Sequence, residues 1–372
     1  MQLLKSLPLA QALIRCASVT PADQGAQAVL AGALYNLGFT VTHLPFGTTQ
    51  NLFARIGTQP PHFCFAGHTD VVPPGEGWRH PPFEAVVEDG RLYGRGACDM
   101  KGAIAAFAAA AARHLANGPP RGSISLLITG DEEGPATDGT VRVLEWMEAN
   151  GHLPDACLVG EPTNPSEIGE ILKIGRRGSL NVTITVPGIQ GHVAYPHRAE
   201  NPVHKLVAIL GELTGQALDQ GTAAFEPSAL QVTSVDVGNP AVNIIPAQAT
   251  ARLNIRFNPL HTGAGLAGWV AEVAGRHSPR AQVATRLSGE AFLTGRALGE
   301  RLAGIVERVS GRRPKLDTGG GTSDARFIAR TTPVAEFGLV GATLHQVDEN
   351  VAVADLLSLT DIYEAILQDF LP

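Results

Sequence analysis

Leu126-Leu127-Ile128-Thr129-Gly130-Asp131-Glu132-Glu133-Gly134 is the stretch from which the fold can be read. An apolar run long enough for one buried strand stops at a glycine, and three carboxylates follow in succession. Adjacent acids repel one another, so a fold keeps them at a strand end only where something positive sits beside them. Taken alone, the triplet reads as a solvated acidic turn. Three further stretches argue otherwise: Ala66-Gly67-His68-Thr69-Asp70, Gly96-Ala97-Cys98-Asp99-Met100-Lys101-Gly102 and Val159-Gly160-Glu161-Pro162. Each sets a His, Asp or Glu directly after a short apolar or glycine-containing segment. Four strand ends delivering such side chains to one edge of a sheet predict a metal centre.

Composition sets the frame. With 372 residues, 44% hydrophobic and 17% charged, the chain can bury a large core and is expected to form two domains. A net charge of −7 and a pI near 5.9 argue against a nucleic-acid partner. Cys16, Cys64, Cys98 and Cys157 are widely spaced and form no CxxC pair, which suits reduced residues of a cytoplasmic protein. The apolar run at the N-terminus is broken by Gln11 and Arg15 and makes a poor signal peptide. The most apolar segment, residues 103–112, is too short to span a bilayer, so no membrane partner is expected.

Helices are expected at 2–16, 22–37, 102–116 and 141–150, and strands at 39–43, 51–56, 63–65, 123–129 and 156–159. This alternation predicts an α/β fold with a largely parallel sheet flanked by helices. In such sheets sites lie beyond the carboxyl ends of the strands. The pattern then changes. Strands at 180–186, 229–237, 251–257 and 282–287 and helices at 201–217 and 266–275 give the order βαββαβ of a ferredoxin-like unit. A helix at 296–310, a Gly-rich loop at 318–324, a strand at 334–337 and a helix at 353–370 follow. Residues 1–178 and 290–372 are therefore expected to form one discontinuous domain, with 179–289 inserted.

Two cations about 3.5–4 Å apart need a carboxylate able to bridge them and N/O ligands on either side. His68 and Glu161 could hold one ion, Glu133 and His345 the other, and Asp99 could bridge. Asp70 is placed to orient the His68 imidazole through its second nitrogen. Glu132 is left beside a ligand but free of metal. It suits a general base for a water whose pKa a metal lowers from about 15.7 to roughly 7, and amide hydrolysis follows. Singly, each residue has a plainer reading: His-x-Asp as incidental, Asp99 as a helix cap, Glu161 as a loop acid. No GxxxxGK[ST] or GxSxG is present, which leaves phosphate-cradle and serine-hydrolase chemistry unsupported.

The motifs GHTDVVPPG (67–75), GRGACDMKG (94–102), GDEEGPAT (130–137) and VGEPT (159–163) resemble the di-zinc exopeptidase and deacylase family, which includes aminoacylases and acetylornithine deacetylase. IGRRGSL (174–180), GIQGHVAYPHRAENP (188–202), GGGTSDARF (319–327) and the late His345 are similar to the family's succinyl-removing branch. The resemblance runs over nearly the whole chain. It implies a cytoplasmic enzyme of lysine and diaminopimelate biosynthesis that hydrolyses N-succinyl-LL-2,6-diaminopimelate to succinate and LL-2,6-diaminopimelate. It further implies two zinc ions per subunit, for which cobalt or manganese can substitute. His68, Asp99 and Glu161 would hold one, and Asp99, Glu133 and His345 the other. Glu132 matches the family's base and Asp70 its second catalytic acid. His192 matches a histidine that the inserted dimerisation domain offers across a homodimer to the tetrahedral oxyanion. Arg176, Ser179, Tyr195, Asn243, Arg256 and Thr322 match its substrate-binding positions, where guanidinium groups suit the substrate's carboxylates.

One departure stands out: Gly341 occupies a position where the family pattern has Asn, which puts one substrate hydrogen bond in doubt. The competing reading within the class is an N-acetylornithine deacetylase or another N-acyl amino-acid deacylase. A non-catalytic binding protein on the same fold would lack a ligand or the base, and here all five ligands and Glu132 are present. With ligands and oxyanion donor on different domains, the two are expected to close on substrate.

Overall fold

Seven consecutive buried residues, His62–His68, form a central strand of an eight-stranded sheet. The computed structural model describes residues 3–372. Across the sheet the order is Thr40–His43, Leu52–Ile56, Ser123–Thr129, His62–His68, Ala156–Val159, Val334–Glu336, Ile171–Lys173 and Lys315–Asp317. Ser123–Thr129, His62–His68, Ala156–Val159 and Val334–Glu336 run parallel to one another. Strands covered on both faces have no polar side to alternate with, so their sequences are continuous apolar runs. Towards the margins antiparallel pairs enter, at Thr40–His43 with Leu52–Ile56, at Leu52–Ile56 with Ser123–Thr129 and at Glu336 with Lys173. The sheet is therefore mixed, with a parallel centre.

The helix Lys101–Ala116 explains its alanine content by position. Every residue from Lys101 to Ala112 is buried, with contacts to the sheet and to the helices Ser6–Ile14 and Val353–Phe370. Small side chains let the backbones approach closely. Phe107 supplies the bulk there, stacking on Phe65 at 4.4 Å between ring centroids and meeting the edge of Tyr363. The helix expected from residue 2 begins at Ser6, and residue 2 itself lies outside the described residues. Ser123–Thr129, Ala156–Val159, Arg296–Ser310 and Val353–Phe370 have the expected bounds. The small sheet Val86–Glu88, Arg91–Tyr93, Asn350–Ala352 had no pattern to announce it, because each strand has only three residues.

The chain divides into two compact units. One comprises the residues up to Ile174 with Thr294–Asp317 and Ser323–Pro372, and the other Gly175–Leu293 with Thr318–Thr322. The second unit has elements Gly178–Pro187, Pro202–Thr214, Ala229–Asp236, Gln248–Phe257, Gly263–His277 and Gln282–Gly289. Its sheet runs Ala229–Asp236, Gln248–Phe257, Gly178–Pro187, Gln282–Gly289, antiparallel throughout, which is ferredoxin-like topology. Leu180, Val182, Ile184 and Val186 alternate inward against Leu206, Ile209, Val270 and Val273 of its two helices. The side chains of Asn201 and Thr262 cap those helices by accepting from Val203 N and Gly265 N. The turn Thr318–Thr322 belongs to this unit because Thr318 donates to the Ala224 carbonyl and Arg176 donates to those of Gly319 and Gly321.

Candidate metal centre

Three neighbouring parallel strands finish together, since His68 lies opposite Thr129 and Ala66 opposite Val159. That register carries His68, the Glu132-Glu133 turn and Glu161 to the same edge of the sheet. Asp99 arrives differently from the expectation of four strand ends. It sits in the turn before the helix Lys101–Ala116, and the neighbouring Met100 side chain lies over two glycines. A Cβ on Gly67 would come within 2.4 Å of Met100 Cε and one on Gly160 within 2.8 Å. The glycines that precede His68 and Glu161 thus make room for the turn that carries Asp99.

His68 Nε2 lies 3.1 Å from Asp99 Oδ1 and 3.7 Å from Glu161 Oε1. His345 Nε2 lies 3.2 Å from Asp99 Oδ2 and 2.9 Å from Glu133 Oε1. One carboxylate therefore faces both imidazoles, with a different oxygen turned to each. The donor atoms of His68, Asp99 and Glu161 all fall within 4.8 Å of one another, as do those of Asp99, Glu133 and His345. A third, overlapping group joins His68, Glu132 and Glu133 at the same separation.

His68 Nδ1 donates to the Asp70 carbonyl at 2.9 Å. In the neutral ring this leaves a lone pair on Nε2, aimed at carboxylate oxygens that are acceptors too. Acceptors that face one another repel unless a proton or a cation lies between them. The donor set, imidazole nitrogen with carboxylate oxygen, suits a divalent ion of borderline hardness. Without cations, protons take that place. Hydrogen bonds to Asp99 and Glu133 raise the His345 pKa to about 10 against the opposing effect of burial. His68 also rises well above its ordinary value, where burial is outweighed by Asp99, Glu161 and Asp70. Burial works against Asp99 as well, yet the two histidines hold its carboxyl well below the usual range.

The orientation expected from the Asp70 carboxylate comes mainly from its backbone carbonyl, since Oδ1 is 3.6 Å from His68 Nδ1. The carboxylate is turned instead to the acidic strand end, accepting from the backbone N–H groups of Glu132 at 3.3 Å and Glu133 at 3.1 Å. Burial lifts Asp70 to about 6 despite these bonds and the nearby His68. Burial, and next the charge of Glu161, pushes Glu132 well above the ordinary carboxylate range.

The remaining candidates all belong to the second unit. Ser179 and Arg256 are opposite one another on adjacent strands, joined by Asn254, which donates to Ser179 Oγ and accepts from Arg256 Nε. Arg256 Nη1 is buried without a partner, and burial followed by the Arg177 charge lowers its pKa. This is the electrostatic position of a cation short of an anion. His192 is exposed, with the Tyr195 ring 5.7 Å away, and Asn243 accepts from Val193 N at 3.1 Å. Thr322 closes the Thr318–Thr322 turn. At Gly341 a Cβ would meet Pro162 at an ordinary 3.4 Å, so sterics do not demand glycine there.

Sequence reasoning passed over Met100, Asn164, Arg95 and Glu349. Asn164 holds the segment after Glu161 by accepting from the N–H groups of Gly169, Glu170 and Ile171 and donating to the Gly338 carbonyl. Only its place beside the VGEPT motif hinted at this.

Paired clusters of candidate metal ligands at the end of a parallel sheet are one arrangement among several on α/β folds, and sequence likeness separates them. The profile of peptidase family M20/M25/M40 matches residues 64–369. The chain belongs to this family. A relative from Gluconacetobacter diazotrophicus, named succinyl-diaminopimelate desuccinylase, is 66% identical over 98% of this chain and 96% of its own length. One of the same name from Gluconobacter oxydans is 61% identical over 97% and 96%. The fold is similar to that of the aminopeptidase PepT of Bacillus cereus, with a TM-score of 0.81 at 17% identity over 100% and 99% of the two chains. It is also similar to that of an M20 metallo-carboxypeptidase of Sulfolobus solfataricus, with 0.79 at 16% over 99% of each. As an M20 member the chain is a metal-dependent hydrolase.

Proposed function

We propose that this M20 hydrolase cleaves the amide of N-succinyl-LL-2,6-diaminopimelate, releasing succinate and LL-2,6-diaminopimelate in lysine and diaminopimelate biosynthesis. The observation that carries the chemistry is Asp99, whose two oxygens face two histidines. The choice of substrate is supported by relatives of 61–66% identity whose name states that activity.

His68, Asp99 and Glu161 would hold one ion and Asp99, Glu133 and His345 the other. We assign zinc to both, with cobalt or manganese able to replace it, because nitrogen and carboxylate ligands suit all three. When bound, such ions polarise an acyl carbonyl and make a water acidic. Glu132 takes the proton of the attacking water and returns it to the leaving amine. Its neutral form is favoured by burial in the unloaded protein, and neighbouring positive charge brings the carboxylate into use. Asp70 orients the His68 ring through its carbonyl and fixes the backbone of the base and of Glu133 through its carboxylate.

Arg176 and Arg256 bind substrate carboxylates, with Ser179, Tyr195, Asn243 and Thr322 completing the polar contacts. The unpaired Nη1 of Arg256 supports this role. His192 steadies the oxyanion from the partner subunit of a homodimer that pairs through the inserted unit. Exposed Ile189, Val193, Tyr195 and Val242 in that unit support such a partner. Among the described residues no helix is long and apolar enough to cross a membrane. We place the enzyme in the cytoplasm, where four free cysteines are at home.

The deciding experiment compares kcat/KM for N-succinyl-LL-diaminopimelate and N-acetylornithine, in metal-stripped protein with and without zinc. A strong zinc-dependent preference for the succinyl substrate is expected. Preference for the acetyl substrate would keep the chemistry and discard the specificity, and turnover indifferent to metal removal would end the reading.

A further inference from the structure

Behind the candidate ligands lies an ion pair whose members stand far apart in the chain. Arg95 and Glu349 have side-chain exposures of 2% and 0%, and Arg95 Nη1 donates to Glu349 Oε2 at 2.6 Å. Glu349 accepts three more hydrogens through its carboxylate, from the backbone of Gly96 at 3.1 Å, Cys98 at 2.9 Å and Asp99 at 3.2 Å. Its carbonyl accepts from Gly94 N at 2.9 Å. Arg95 Nη2 donates to the carbonyls of Pro73, Pro74 and His345 at 3.4, 3.3 and 3.4 Å. The guanidinium also lies 5.3 Å from the centre of the Trp78 ring.

One buried pair thus touches the loop that follows His68, the turn that carries Asp99 and the loop that carries His345. Burying an ion pair is poor value as a stabiliser, since apolar packing does as well or better. What a carboxylate ringed by N–H donors supplies instead is direction. Asp99 is the residue most sensitive to direction, because its two oxygens face two different imidazoles. A rotation of its turn would misplace both oxygens together. His345, in a left-handed backbone conformation with φ 59°, has its carbonyl tied to the same guanidinium.

We infer that Arg95 and Glu349 are positioning residues of the metal centre, setting Asp99 and His345 in register before any cation arrives. The inference rests on the two-cation reading of the site. Its test is a titration of metal-stripped wild type, E349Q and R95K with cobalt(II), reading dissociation constants and the visible d–d absorption, with circular dichroism of the metal-free proteins as a check on folding. Both variants are expected to bind at least one cobalt ion about 10- to 100-fold more weakly, the usual cost of losing an outer partner of a ligand. Their d–d bands should shift, and R95K, which keeps its charge, should be the milder. Variants with wild-type affinity and spectrum would overturn the inference. A wild-type chain that takes up no cobalt would overturn the metal reading instead. If the variants do not fold, amide exchange in wild type decides. The Cys98 and Asp99 N–H groups should be as protected in the metal-free as in the metal-loaded protein, and exchange at solvent rates without metal would refute pre-positioning.

Discussion

At the scale of single residues, the proposed division of the acids beside His68 into ligands and a base is testable. Glu132→Gln should lower kcat by roughly 10²- to 10⁴-fold, the usual contribution of a positioned base, while leaving cation uptake intact. Glu133→Gln should weaken uptake itself, because Glu133 Oε1 stands 2.9 Å from His345 Nε2. Kinetics paired with a metal stoichiometry separates the two, and a Glu132→Gln protein that loses its metal would reverse the assignment. The glycines before the ligands are equally specific. Gly160→Ala brings a methyl to 2.5 Å from Phe65 Cζ and 2.8 Å from Met100 Cε. Overpacking of this kind costs about 1–3 kcal/mol, to be read from denaturant unfolding. Since Met100 adjoins Asp99, activity should fall as well. The candidate ligands were legible in short local patterns. That Asp70 works through its carbonyl was not, because backbone orientation leaves no mark in composition.

At the scale of elements, the strand His62–His68 carries its own pH dependence. His62 is 5% exposed and its Nε2 lies 2.7 Å from Ser125 Oγ on the adjoining strand. Burial, and next the Arg55 charge, lowers its pKa from 6.5 to about 4. The unfolded chain therefore binds a proton at a pH where the folded one does not. Stability falls as pH drops from about 6.5 to about 4 and this loss is complete below, amounting to roughly 3 kcal/mol at about 1.4 kcal/mol per pH unit. Urea unfolding of wild type and His62→Gln between pH 7 and 4 should show the wild type losing more. Parallel curves would refute the assignment. Long runs such as Ser123–Thr129 were legible because both faces are buried. The short strands around Arg91–Tyr93 were not, since three residues cannot establish a period.

At the scale of the whole molecule, the proposed homodimer makes a prediction that mass alone does not. If His192 acts across the dimer, inactive Glu132→Gln and His192→Ala proteins should complement each other when subunits are exchanged. A 1:1 mixture should recover about a quarter of wild-type activity, because about half the dimers are mixed and each has one intact site. No recovery from mixed dimers, verified by light scattering and subunit labelling, would place His192 in its own subunit's site, and a His192→Ala protein of full activity would place it outside catalysis. The βαββαβ order of the inserted unit was legible from alternating strands and a change of pattern near residue 180. Its claim on Thr318–Thr322 was not, because that turn is joined to it by hydrogen bonds from Thr318 and Arg176 across long separations in the chain.

By itself the sequence determined which residues can bind a cation, the strand–helix alternation that carries most of them to a sheet edge, and the presence of a second unit. These depend on neighbours in the chain, where apolar periodicity and the residues that interrupt it act directly. Tertiary structure alone decided that Asp99, the expected bridge, turns a different oxygen to each histidine and that Met100 over two glycines admits its turn. It alone brought Arg95 to Glu349. Such contacts are set by the packing of segments tens to hundreds of residues apart, and no local pattern encodes the direction in which a buried group must point.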